Sequence, residues 1–257
     1  MDREVLSDDE LKRYSRHLSL PGIGIEGQKR IKKSSVLIVG VGGLGSITAL
    51  MLACAGVGRI GLIDHDKVEL SNLQRQILYT PENVNNKKVT IAKDRLLAHN
   101  PDISVEVYTT RLTEDNANGI IGGYDLVLDG TDNIPTRKIV NQSCVELDKP
   151  FIFGAVSYFD GQVSVFHASR GPCYACFLPG IESPNAQRQE RNSLLSTLPG
   201  IVGSLQATEA LKIICELGEP LVGRLLIINT LTSDFHHYEI NKRGNCPICG
   251  EADPTVS

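Results

Sequence analysis

Two short apolar runs, residues 36–39 and 60–63, frame the most informative part of this chain. Both are rich in branched residues and lack polar alternation, as in strands buried on both faces of a parallel sheet. Gly40-Val41-Gly42-Gly43-Leu44-Gly45 breaks the first run. A small, apolar helical segment follows over about 44–55, with Gly56 placed to close it as a C′ residue. The second run ends on Asp64. Strand, glycine turn, helix, strand, acid is the order of a nucleotide-binding βαβ unit. Gly40, Gly42 and Gly45 fit G-x-G-x-x-G, and Asp64 falls where an acid binds ribose. Glycines let the backbone turn sharply beside a phosphate, and the helix N-terminus offers N–H donors to an anion.

The same patterning organises the flanks. Ser7 and Glu10 form a possible capping box. Leu11, Tyr14, Ser15 and Leu18 then keep a helical period, with Arg13, Arg16 and His17 off the apolar positions. Pro21-Gly22-Ile23-Gly24 ends that helix, and a second short helix is expected over 26–31. Residues 64–76 are too polar for a core element. They follow a strand's C-terminal end, so Asn72, Arg75 and Gln76 either share a pocket from one helical turn or form a hydrated loop. Lys88 opens a helical pattern that ends near His99. A lysine there opposes the macrodipole unless it faces bound phosphate. Ile103, Val105 and Val107 alternate as a strand, and 113–121 is helical. Residues 126–128 are a further apolar strand, followed by Asp129-Gly130-Thr131-Asp132-Asn133. A helix over 136–147 and an apolar run at 151–153 complete an α/β, Rossmann-like, doubly wound pattern.

Beyond 150 the pattern changes. Residues 155–158 and 162–167 flank Asp160-Gly161 as a hairpin. A helix is expected over about 203–217, with strands at 225–228 and 235–240. The expectation is a mostly parallel sheet continued by antiparallel strands, in a single domain over 1–257. Residues 178–199 lack periodicity and read as a mobile loop crossing a site.

Composition narrows the function. A net charge of −4 provides no basic field for nucleic acid or anionic membrane. No apolar run approaches the ~20 residues of a membrane span, and the acidic start MDREVLSDDE is unlike a signal peptide, so a cytoplasmic protein is expected. Four of the seven cysteines form Cys173-x-x-Cys176 and Cys246-x-x-Cys249. Two such knuckles complete a tetrahedral four-cysteine zinc site, structural because no coordination position stays open. The rival reading is a redox dithiol, which normally needs one pair. Cys54, Cys144 and Cys215 lie singly in helical patterns and read as small buried hydrophobes.

Taken together, the glycine turn, Asp64, Ser71-Asn72-Leu73-Gln74-Arg75-Gln76, Lys88, Asp129-Gly130-Thr131-Asp132-Asn133, Gly203-Ser204-Leu205-Gln206-Ala207 and the paired cysteines resemble the MoeB/ThiF/HesA family, relatives of ubiquitin-activating enzymes. The resemblance spans nearly the whole chain. It implies ATP rather than NAD, and adenylation of the C-terminal Gly-Gly carboxylate of a small ubiquitin-like sulfur-carrier protein. On matching positions it implies that Asp64 holds the ribose and that Gly43 approaches the α-phosphate. Asn72, Arg75, Gln76 and Lys88 would contact phosphates, and Asp132 would sit by Mg2+. Asp66 and Asn133 belong to the same nucleotide set. Arg16 would reach the ATP of the opposite subunit in a homodimer. The nucleotide part would cover about 34–150, and a carrier-binding and zinc part about 151–250.

Many relatives carry a cysteine in the crossing loop. Here the corresponding place, near Gln189, has none. The expectation is an enzyme that stops at the acyl-adenylate. With no rhodanese-like segment in the chain, it would leave sulfur transfer to a separate donor. Adenylation of a small-molecule or peptide carboxylate is the alternative within the class. An NAD-dependent oxidoreductase and a non-catalytic nucleotide-binding scaffold are the alternatives outside it.

Overall fold

The computed structural model describes residues 5–178 and 193–250. Three helices lead in: α1 (Asp8–Arg13), α2 (Ser15–Leu18) and α3 (Gly24–Lys33). Ser7 and Glu10 form the expected capping box on α1. The single helix expected across Tyr14 is two, broken where Tyr14 adopts φ −95° and ψ 12°. Its buried hydroxyl accepts from Asn100 Nδ2 at 2.9 Å. Glu10 also faces inward, where Lys32 of α3 donates to its Oε2 at 2.7 Å, the side chains being 10% and 5% exposed for Lys32 and Glu10.

The chain then alternates through β1 (Ser35–Val39), α4 (Gly43–Ala55), β2 (Arg59–Ile63), α5 (Lys88–His99), β3 (Ser104–Tyr108), α6 (Glu114–Ile121), β4 (Leu126–Asp129), α7 (Ile134–Glu146) and β5 (Phe151–Ser157). β6 (Asp160–Phe166), the single turn α8 (Tyr174–Phe177), α9 (Leu198–Cys215), β7 (Arg224–Asn229) and β8 (Asp234–Glu239) follow. Among the described residues they form one eight-stranded sheet of order β3-β2-β1-β4-β5-β6-β7-β8. The first five strands pair in parallel, and β5 to β8 pair antiparallel. This is the expected α/β class.

The absence of alternation in β1 has the expected cause. Val36 and Ile38 join one core cluster, while Leu37 and Val39 join the other. Helices cover both faces, and fully burying each such side chain contributes roughly 1.5–3 kcal/mol. α4 and α9 pack closely on one face. A Cβ at Gly203 would lie 2.9 Å from Leu44 O and 3.0 Å from Ile47 Cβ, so glycine sets that approach. Connections run one way from β1 to β2 and the other way to β4. The crevice over the C-terminal ends of β1 and β4 is therefore the switch point where open parallel sheets bind ligands.

Several boundaries differ from expectation. α7 starts at Ile134, because Asn133 caps it and Pro135 needs no N–H partner in a first turn. α9 starts at Leu198 without a side-chain cap, and Pro199 is tolerated in its first turn. Part of the stretch read as a loop is thus helix. Residues 179–192, which include the place near Gln189, lie outside the described residues. The hairpin turn is Tyr158-Phe159, not Asp160-Gly161, since Ser157 pairs with Asp160 and Tyr158 takes φ 51°. Gly161 belongs to β6, where Val202 Cγ2 of α9 occupies the space a side chain would need. Cys144 and Cys215 are buried as expected, but Cys54 is exposed on α4. No described helix is long and apolar enough to cross a membrane.

Burial alone would raise the Glu10 carboxyl, but Lys32 and the Ser7 N–H outweigh it and hold the group below the usual carboxylate range. A depressed carboxylate contributes stability above its unfolded pKa and loses it as pH falls through the folded one. Glu10→Gln is expected to cost roughly 3–5 kcal/mol near neutrality by leaving Lys32 buried and unpaired. The gap to wild type should close in acid. Urea midpoints at neutral and at acid pH check this, and a gap independent of pH would contradict it.

Candidate functional site

Loops following β1, β2 and β4 converge on the switch-point crevice. Gly40 has φ 86°, and a Cβ on it would lie 2.7 Å from Gly130 O. A Cβ on Gly130 would in turn strike the Gly40 carbonyl. Val41 is held through both backbone groups. Its N–H donates to Asp64 Oδ2 at 2.9 Å, and its carbonyl accepts from the Tyr79 hydroxyl at 2.7 Å. Asp64 Oδ1 accepts from the Asp66 N–H at 2.8 Å. The acid expected beside ribose therefore also fixes the glycine turn. Burial, and then the Asp64 charge, push the Tyr79 phenol far up, so it remains a donor. α4 starts at Gly43 with no side-chain cap, leaving its N-terminal donors to the crevice.

The segment after β2 folds back over this turn. A Cβ on Gly43 would lie 3.5 Å from Arg75 Cγ and 3.2 Å from Pro199 Cβ, so glycine keeps the floor clear. The Arg75 guanidinium donates to the Ser71 carbonyl at 3.1 Å. Gln76 is buried, with Nε2 3.6 Å from the missing Cβ of Gly42, and its Oε1 has no partner among the described residues. The Asn72 side chain is spent locally, accepting from the Glu69 N–H at 3.3 Å.

Lys88 opens α5 as expected, but its side chain turns inward. It is buried, with Nζ 3.0 Å from Asp66 Oδ2. Partial burial would raise the Asp66 carboxyl, yet the Lys88 bond and charge, with His65 and Arg111 beyond, hold it below its ordinary value. Arg111 Nε donates to His65 Nε2 at 2.9 Å, and that nitrogen lies 3.2 Å from Asp66 Oδ1. Sequence reasoning missed Arg111 and His65, since neither belongs to a recognisable spacing.

The β4 loop rests on a buried pair that was also missed. Arg137 Nε donates to Asp129 Oδ2 at 2.6 Å, and its Nη2 donates to the Thr131 and Gly154 carbonyls at 2.7 and 3.0 Å. Burial would lower the Arg137 guanidinium, but Asp129 and then Tyr174 hold it charged. Gln206, from the motif on α9, donates to the Asp129 carbonyl at 2.7 Å. Above this base Asp132 is exposed, and Asn133 caps α7 through the Thr136 N–H at 3.0 Å. Arg16 is not drawn into the crevice of its own chain. It is exposed on α2, which packs on α1 and α3.

The four paired cysteines come together away from the crevice. Their sulfurs all lie within 4.8 Å of one another. Cys173 and Cys246 sulfurs are 3.7 Å apart, and those of Cys176 and Cys249 3.5 Å. Four sulfurs about 2.3 Å from one tetrahedral centre stand about 3.8 Å apart, so the residues fit a thiophilic tetrahedral ion. Asn141 Nδ2 and the Arg243 N–H point at Cys173 and Cys176 sulfurs, at 3.8 and 3.5 Å. Such donors offset thiolate charge.

The arrangement over the switch point thus gathers uncapped helix N–H donors, two cations and the carboxylate of Asp64 around the glycine turn. Comparison with known proteins points the same way. The model of the ThiF family matches residues 14–248. A sulfur carrier protein adenylyltransferase of Thermus thermophilus is 46% identical over 96% of this chain and 93% of its own. A probable molybdopterin-synthase adenylyltransferase of Porphyra purpurea is 47% identical, over 90% of this chain but only 61% of its own. Among solved structures, E. coli MccB with MccA-N7isoASN superposes with a TM-score of 0.84 at 25% identity, over 97% of this chain and 76% of that one.

Elemental analysis of the purified chain is expected to find one metal ion per chain. Cys246→Ser should lose it and lower the melting temperature. A variant that keeps a full equivalent would contradict the four-sulfur site.

Proposed function

We infer that this chain, which belongs to the ThiF family, is an ATP-dependent adenylyltransferase that activates the C-terminal Gly-Gly carboxylate of a small ubiquitin-like sulfur-carrier protein. The observation that carries the reading is the crevice itself. The uncapped start of α4 and Arg75 border the glycine turn, and Lys88 is tied to the same turn through Asp66 and Asp64. A relative that matches at nearly full length on both sides is named a sulfur carrier protein adenylyltransferase.

In this reading Asp64 holds the ribose while it keeps Val41 in place. The backbone around Gly42 and Gly43 approaches the α-phosphate. Arg75, Lys88, Asn72 and Gln76 take the phosphate oxygens, Gln76 through the amide beside Gly42. Asp132 and Asn133 lie at the mouth, where Asp132 suits a Mg2+ that accompanies the nucleotide. A carrier carboxylate oxygen forms a bond to the α-phosphorus, and the bond from that phosphorus to the pyrophosphate oxygen breaks. Two anions must approach, so the barrier falls when fixed cations offset the developing charge and the reactants are held in line. Two unit charges ~4 Å apart at an effective dielectric near 20 interact by about 4 kcal/mol. No side-chain nucleophile is required, because the substrate supplies the attacking oxygen.

The chain acts as one unit, with residues 34–150 for the nucleotide and 151–250 for carrier and metal. The metal is zinc, and it staples the C-terminal knuckle to the body of the fold. Arg16, exposed on α2, would complete the site of a second copy in a homodimer. Sulfur would come from a separate donor, in the cytoplasm. The likeness to MccB, at lower identity, supports the fold.

Purified chain with a Gly-Gly-ending carrier, Mg2+ and ATP is expected to exchange labelled pyrophosphate into ATP. Asp132→Ala should fall by at least about 100-fold, the scale of losing one transition-state contact, at unchanged melting temperature. Exchange without carrier, or an Asp132→Ala variant equal to wild type, would overturn the reading.

A further inference from the structure

The metal knuckle and the β4 loop grip the same helix. Asn133, Arg137 and Asn141 recur at every fourth position of α7 and its cap, so they share one face. Asn133 caps the helix. Arg137, one turn on, ties down Asp129 and the Thr131 carbonyl, which form the base of the loop that carries Asp132. Asn141, a further turn on, donates to Cys173 Sγ at 3.8 Å and accepts from the Tyr174 N–H at 2.7 Å. Tyr174 lies inside the first Cys-x-x-Cys, between the ligand positions. It is fully buried, and it acts on Arg137 electrostatically, helping to hold that guanidinium charged. Arg137 also lies over the Phe153 ring, 5.0 Å from its centroid. Phe153 is itself 5.5 Å from the Tyr174 ring. The whole face is dry: Arg137, Asn141 and Tyr174 are 8%, 3% and 0% exposed.

We propose that Tyr174, Arg137 and Asn141 are positioning residues that couple metal occupancy of the four-cysteine cluster to the geometry of residues 130–133, so that metal and nucleotide each tighten the binding of the other. The proposal rests on the adenylation reading for the identity of the nucleotide. The physical reason is that four sulfurs on one ion fix the knuckle backbone. A fixed knuckle holds the Tyr174 ring against Phe153, over which Arg137 lies, and Arg137 in turn holds the carbonyl of Thr131, beside Asp132. Without the ion the knuckle backbone loses its four-sulfur anchor, and interiors this dense shift between discrete arrangements rather than stretching. Coupling between two sites is reciprocal, so it can be read from either ligand.

The test uses the full chain. Zinc affinity is measured by competition with a tight chromophoric chelator, with and without Mg-ATP at a concentration shown by calorimetry to saturate. Wild type is expected to hold zinc roughly 5- to 150-fold more tightly with nucleotide, the usual range of such coupling. Tyr174→Leu removes the ring that meets Phe153 and should keep one zinc per chain, but lose most of that gain. Asn141→Ala should weaken zinc about 10- to 100-fold even without nucleotide, as outer-shell losses do. Zinc affinity unmoved by saturating Mg-ATP in wild type, or a full gain retained in Tyr174→Leu, would overturn the coupling. Absence of ATP binding by calorimetry would strike the adenylation reading and the coupling to nucleotide with it. An Asn141→Ala variant with unchanged zinc affinity would then overturn the knuckle-to-helix link as well.

Discussion

Gly40 and Gly130 approach each other backbone to backbone at the ends of β1 and β4. No side chain fits between them, and everything in the site is built outward from that contact. Gly40 needs its left-handed φ to leave β1 and turn at once. Asp64 and Tyr79 then pin Val41 from below, one through its N–H and one through its carbonyl. On the other strand, Arg137 holds Asp129 and Thr131 in the interior. A catalyst that works by position and charge needs such rigidity, because a misplacement near 1 Å can cost about 100-fold in rate.

The site keeps its cations near the crevice without leaving them bare. Lys88 is buried against Asp66, and Arg75 lies along the glycine turn with its guanidinium on a backbone carbonyl. Lys88 thus has a carboxylate partner and Arg75 a carbonyl, and both groups stay at the crevice. The row Arg111–His65–Asp66–Lys88 extends the same logic to the rim after β2 and β3. Further along the same face of α7, Asn141 meets Cys173 and Tyr174 of the cysteine knuckle.

What was legible in the sequence was whatever local chemistry dictates. Unbroken branched runs gave the parallel strands, Gly56 the end of α4, Ser7 and Glu10 a cap, and the paired cysteines a four-sulfur cluster. What was not legible depends on tertiary contact. Tyr79 and Arg137 are ordinary residues in ordinary positions until the fold brings them to Val41 and Asp129. The hairpin turn was misread because Asp160-Gly161 carries turn chemistry, while Gly161 is needed for a different reason, the approach of Val202. Pro199 read as a loop residue and proved to be a helix start. Cys54, read as core from its helical setting, points outward.

The account stands or falls on which bond this crevice makes. The direct measurement is intact mass spectrometry of a Gly-Gly-ending carrier after incubation with the chain, Mg2+ and ATP. The account predicts one AMP added at the carrier's terminal carboxylate, with pyrophosphate released, and none added when the last glycine is removed. A carrier that gains no AMP while the chain binds ATP, or that gains AMP without its terminal glycine, would contradict it.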